Sequence, residues 1–249
     1  MIFRRIKPHI AKEDWFSVLV DFVIVVFGVF MGIQVSNWNQ SIDDQREYEL
    51  ALERVIDEAN TNIDSLHDIS ISAAKRIESV GLGLEALRSC EHTDKNLGLI
   101  EHGLASVSGT FTIHIQTDAI NEITSSPTLL AQQSRLIRKA FSAAKFNLSI
   151  LKTEADFAES LPFRDRPESN PLLDVSDPVK SDVDYYGLNA SRARYSLRLT
   201  KPVDELCQDD RLLKSFYTWH RFQSRLPSDA ANMSIEMRKI IVTAAQASG

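Results

Sequence analysis

The chain has 249 residues, 28 Lys+Arg against 34 Asp+Glu for a net charge of −6, 43% hydrophobic residues and two cysteines. That length supports one or two domains with a sizeable core, and the acidic balance argues against a nucleic-acid surface. Two cysteines are too few for a disulfide-built scaffold or a four-cysteine zinc site.

The first element is a dense apolar block, WFSVLVDFVIVVFGVFMGIQV, at residues 15–35. It has the roughly 20 residues that a helix needs to cross a bilayer. About fifteen strongly apolar side chains at roughly −0.3 to −0.6 kcal/mol each favour insertion by about 5–9 kcal/mol. The one charge, Asp21, opposes this by only about 2.5–3.5 kcal/mol. Trp15 and Trp38 bracket the block, about 35 Å apart on a helix of 1.5 Å rise, which suits two interfacial belts. A cleaved signal peptide would have a shorter, uncharged apolar region and a small-x-small cleavage site. A soluble core helix would seldom be apolar all round for this length.

Arg4, Arg5, Lys7 and Lys12 precede the block, whereas Asp43, Asp44, Glu47, Glu49 and Glu53 outnumber Arg46 and Arg54 after it. The positive-inside bias therefore predicts a cytoplasmic segment at 1–14, one transmembrane helix at 15–38 and an outer helical domain at 39–249. A cytoplasmic segment of that size cannot hold an output domain, so a receptor role would need a partner to supply the output.

The stretch DFVIVVFGVFMGIQVSNWNQ, with its early acid, central glycine and closing N-W-N, resembles an uncharacterised bacterial membrane-protein family. The positions that carry the likeness are Asp21, Gly28, Gln34, Val35, Ser36, Asn37, Trp38 and Asn39. A weaker echo is TDAINEITSSPTLL at 117–130, similar to a helix-then-serine element of such proteins. The resemblance implies a bacterial inner-membrane anchor followed by a helical domain, which the charge bias above would place in the periplasm with the N-terminus in the cytoplasm. It brings no activity with it.

Ser17, Asp21, Gly28 and Gly32 fall on one stripe of a helix. Gly28 and Gly32 form a GxxxG groove that allows close helix approach, though glycine is common in membrane helices. An acid in hydrocarbon faces protein rather than lipid, so Asp21 beside that groove predicts a homo-oligomer or a membrane-protein partner. Trp15, Gln34, Asn37, Trp38 and Asn39 are the expected interfacial anchors.

Beyond the block there is no proline until Pro127. Tyr48, Leu52, Val55, Ala59, Leu66, Ile69, Ala73, Ile77, Val80, Leu84 and Leu87 keep a three-four rhythm. This predicts a long amphipathic helix, continuous with the span or nearly so, interrupted near Gly81 and Gly83, with Asn62 as a register-setting polar residue. SCEHTDKN at 89–96 predicts a turn, followed by a short helix through Val107, and FTIHI at 111–115 an extended segment. Ser126-Pro127 reads as a helix start. The seam Ile137, Ala144, Leu151, Ala158 then suits antiparallel packing on the first long helix. Five of the eight prolines lie between Pro162 and Pro202, which predicts a long irregular crossover at about 161–201, with a short strand at 193–199. Pro202 then opens a helix that Pro227 breaks, and a last helix ends near Ala247. The fold class expected is all-α: one transmembrane helix leading into an elongated antiparallel bundle.

The chemistry is sparse. No two of the histidines stand at metal spacing, and there is no nucleophile elbow, phosphate loop or dinucleotide turn. Cys90, His92 and Asp94 cluster, but such triples arise by chance in polar turns, so neither metal nor cofactor is expected. Cys90 and Cys207 are candidates for a disulfide in an oxidising compartment. Phe216, Trp219 and Phe222 share roughly one helix face and offer either core or a partner groove. No catalytic residue emerges. The leading expectation is a non-enzymatic interaction or scaffold subunit. The alternatives are a subunit of a larger membrane complex that uses Asp21 to move protons or ions, and a tethered envelope hydrolase.

Overall fold

The structure is a computed structural model describing residues 15–161, 167–185 and 188–248. The expected cytoplasmic segment, with Arg4, Arg5, Lys7 and Lys12, lies outside the described residues. The fold is all-α, a long N-terminal helix running into a helical bundle. Helix α1 (Trp15–Ser89) is 75 residues long, about 110 Å at 1.5 Å per residue. It is unbroken at Gly81 and Gly83, contrary to the sequence expectation. The glycines permit contact there instead: a Cβ on Gly83 would meet the Phe216 ring at 2.9 Å and the Leu99 carbonyl at 3.0 Å.

The buried residues of α1 start at Tyr48 and continue through Leu52, Val55, Ala59, Asn62, Leu66, Ala73, Val80 and Leu87. Alternate steps of four and three keep this stripe on one face. The helix ends where Cys90 takes a left-handed conformation at φ 55°, the usual stop after the last helical turn.

Helix α2 (Asp94–Val107) runs back along α1, started by the Thr93 hydroxyl, which accepts the Asn96 amide. Chain without regular secondary structure at 109–117 leads into α3 (Asp118–Ser125) and α4 (Pro127–Gln132). Helix α5 (Arg135–Ser160) returns, its first turn capped by Ser134. The helix start at Ser126-Pro127 is therefore real but short: chain at Gln133–Ser134 leaves the helix before α5 begins. The α5 seam is Phe141, Ala144, Leu148 and Ala155, and it packs chiefly on α8 (Leu226–Ala247) rather than on α1. Helix α8 takes the place beside α1, where it buries Ala230, Met233, Met237, Ile240 and Ala244.

The crossover is more regular than its prolines suggest. Strand β1 (Leu173–Val175) pairs antiparallel with β4 (Leu197–Leu199), and β2 (Val179–Tyr185) with β3 (Leu188–Arg194). None of the prolines falls within these ladders, so no backbone donor is missed there. Leu172, Leu173, Leu197 and Leu199 tie the β1–β4 end to the bundle. The helix expected to run from Pro202 is split into α6 (Val203–Leu206) and α7 (Asp210–Gln223), because Asp209 caps a new start through the Leu212 amide.

Two clusters make up the core. The larger runs from Tyr48 to Ala73 with α3, α4, α5 and α8; the distal one joins Val80, Leu87, Ile100, Leu104, Phe216 and Trp219. Gly103 on α2 sits where the distal helices are tightest: a Cβ there would lie 2.6 Å from the Phe216 ring and 3.2 Å from the Ser79 carbonyl. Gly103→Ala should therefore destabilise by about 1–3 kcal/mol through overpacking, despite alanine's better helix propensity. Urea unfolding would show it, with partial rescue by Phe216→Leu. A stabilised Gly103→Ala would mean that the contact yields without strain.

Candidate functional site

Every residue of α1 from Trp15 to Asp43 is exposed. This part of the helix is long and apolar enough to cross a membrane, and none of it is buried inside the fold. Ser17, Asp21, Gly28 and Gly32 lie along it, and a Cβ built on either glycine meets nothing within 4 Å. The stripe is open. Gln34, Asn37, Trp38 and Asn39 follow it on the same unpartnered helix, and Trp15 opens it.

Where the bundle closes around α1, polar residues one turn apart organise the chain. Among the described residues segment 109–117 pairs with no strand, so its buried backbone groups need side-chain partners. Trp219 Nε1 donates to the Gly109 carbonyl at 2.6 Å, and the Phe111 amide donates to Gln223 Oε1 at 3.3 Å. Lower down, Asn62 Nδ2 donates to the Gln116 carbonyl and the Gln116 amide donates to Asn62 Oδ1, both at 2.8 Å. One turn back on α1, Glu58 accepts the Ala119 and Ile120 amides at 2.8 and 3.2 Å. A carboxylate there caps α3 from another helix and complements its dipole. A further turn back, Arg54 pairs with Glu122 at 2.8 Å. Asn62 is thus a docking residue as well as an interior polar one. Glu58 and Arg54 escape sequence reading; only their four-residue spacing from Asn62 hints at a shared face.

An open cavity of about 350 Å³ lies between the segment so docked and α5. Ile115, Ile120 and Leu148 give it an apolar floor, and Lys145 and Lys152 reach it from α5.

At the distal end Cys90 and Cys207 are disulfide-bonded, with Cα atoms 5.3 Å apart. His92, beside them, accepts the Val203 amide at Nδ1. Among the described residues no three His, Cys, Asp or Glu side chains gather as metal ligands. Comparison with protein-family models, curated proteins and solved structures returned no match.

The aromatic residues need a correction. Phe216 and Trp219 are both 0% exposed, packed between α1 and α2, so they cannot line a partner groove; Phe222 is only half-buried. Glycines at 83 and 103 leave room for the Phe216 ring, which pulls that face inward. Outside the apolar stretch, the apolar side chains left open include Phe146, Ile150 and Phe157 on α5 and Ile235 and Val242 on α8.

Proposed function

We propose that this chain is a membrane-anchored helical interaction subunit, associating through the apolar part of α1, with no catalysis of its own. In this reading residues 15–38 span a bacterial inner membrane, the N-terminus is cytoplasmic and the bundle is periplasmic. The observation that carries it is the continuity of a fully exposed, bilayer-length apolar stretch with the core helix of the bundle. Left in water, so large an apolar surface would aggregate; a bilayer covers it. The family resemblance at Asp21 to Asn39 and the acidic outer flank support the orientation. The disulfide supports an oxidising compartment.

Self-association follows from the open stripe. Gly28 and Gly32 offer a flat groove, and the adjacent Asp21 is costly against lipid unless a second helix takes it up. The test is the mass of the full-length protein in a mild detergent or nanodisc. Wild type should be oligomeric, the double variant Gly28→Leu/Gly32→Leu predominantly monomeric, and Asp21→Asn weakened. Val26→Leu, off the stripe, serves as control. If the stripe variants keep the wild-type mass and the same co-purifying proteins, association does not run through this face.

A further inference from the structure

We propose that the cavity between α3 and α5 is a binding site for a small organic monoanion: a carboxylate on a compact apolar body. This goes beyond the anchoring role and does not depend on it.

The volume of about 350 Å³ is at the lower end for small-molecule sites. The cavity lies where the chain opposite α5 carries no helix until Asp118, with Ile115 and Thr117 on its wall. Its near wall is held rather than loose. Asn62 grips the backbone at Gln116, Glu58 caps the amides of Ala119 and Ile120, and both are fixed on α1. A wall fixed from behind meets a ligand without a large ordering cost.

Ile120 and Leu148 of the floor are 3% and 2% exposed, so an apolar body would rest on core. The charges above the floor are unequal. Lys152 Nζ is bonded to both carboxylate oxygens of Asp156, at 2.8 and 3.0 Å. Lys145 Nζ donates to the Thr124 hydroxyl at 3.1 Å and makes no ion pair among the described residues. The cavity therefore holds one uncompensated positive charge. A carboxylate matches it; a phosphate dianion carries a second charge that Asp156 would repel. Thr117 and Asn121 add polar atoms on the near wall, hydrogen-bonded to each other at 3.3 Å. Apolar floor, one ammonium without an ion-pair partner among the described residues and a braced wall together specify the class of ligand.

The test uses full-length protein in nanodiscs, empty discs as blank and radiolabelled benzoate as probe, by equilibrium dialysis. Saturable binding at millimolar concentration is expected. Lys145→Met, which keeps the stem and removes the charge, should weaken it about tenfold, equivalent to about 1.4 kcal/mol. Ser149→Phe, from an exposed position on the rim, should abolish it by filling the mouth. Neither inorganic phosphate nor benzyl alcohol should displace the probe at equal concentration. Unchanged thermal midpoints would show both variants folded. The proposal fails if binding does not exceed the blank or persists unchanged in both variants. Displacement by phosphate would overturn the ligand class, because the floor would then contribute nothing.

Discussion

Reducing the Cys90–Cys207 bond should lower stability by about 5 kcal/mol, the largest single effect expected in this chain. The two cysteines are 117 residues apart in sequence, and closing so long a loop removes much of the unfolded chain's freedom. The bond joins the end of α1 to the end of α6, so nearly the whole bundle other than α1, α7 and α8 lies within the loop. At roughly 2–4 °C per kcal/mol for a domain of this size, the midpoint should fall by about 10–20 °C. Cys90→Ser and Cys207→Ser, singly or together, should match the reduced protein. The loss should be registered first at the distal cluster, because Cys207 follows directly on Val203 and Leu206, both fully buried there. Trp219 sits in that cluster, while the other two tryptophans, Trp15 and Trp38, stand at the two ends of the expected span. Its fluorescence would separate distal loosening from global unfolding. A reduced protein within about 1 kcal/mol of the oxidised one would mean that the unfolded chain is already compact.

What the sequence disclosed and withheld divides along physical lines. The stripe of α1 was legible because burial repeats every three or four residues over forty positions, and a period is hard to mistake at that length. Asn62 broke the apolar pattern at an inner position and so announced itself. The turn after Ser89 was legible from its composition, although α2 restarts at Asp94, inside the stretch 89–96 read as turn. Of the β ladders only the strand expected at 193–199 was legible, and it divides between the end of β3 and β4; the rest were hidden by the prolines around them. The aromatic face of α7 was ambiguous because Phe216 and Trp219 would read alike in a core or in a groove. What decides between them is Gly83 and Gly103, on two other helices, whose missing side chains admit the ring. The cavity beside α5 was invisible for a related reason. Lys145 and Lys152 look like solvated charges until α3 is known to face them, and α3 is placed by Glu58, sixty residues earlier in the chain. Periodicity reports which face is buried and says nothing of what lies opposite.

Asn62→Leu should cost about 2–4 kcal/mol although leucine has as many side-chain heavy atoms as asparagine and suits an apolar interior. Asn62 is 2% exposed and its amide closes two hydrogen bonds on the backbone of one residue, the N–H and carbonyl of Gln116. Each bond contributes about 1 kcal/mol net, and each backbone group left without a partner costs about 1–3 kcal/mol where water cannot reach it. The Gln116 side of the contact is solvent-exposed, so water recovers part of that loss, which sets the lower end of the range. Asn62→Asp should fare no better: one oxygen can still accept the Gln116 amide, but the other would face the Gln116 carbonyl. Stepping down α1 gives a graded series. Glu58→Ala removes the cap on the Ala119 and Ile120 amides and should cost about 1–2 kcal/mol. Arg54→Ala breaks an ion pair whose partners are 47% and 43% exposed and should cost under about 1 kcal/mol. Urea unfolding measures the order, and amide hydrogen exchange at 116–120 locates it: exchange there should quicken in the Asn62 and Glu58 variants and stay slow in Arg54→Ala. Benzoate binding should weaken in the same order, because these side chains hold the near wall of the cavity. If Asn62→Leu proves as stable as wild type, leucine packing against Met237 outweighs the lost amide bonds, and segment 109–117 is held by its other partners, Trp219, Gln223, the Thr112–Glu159 hydrogen bond and Arg76 over the Phe111 ring.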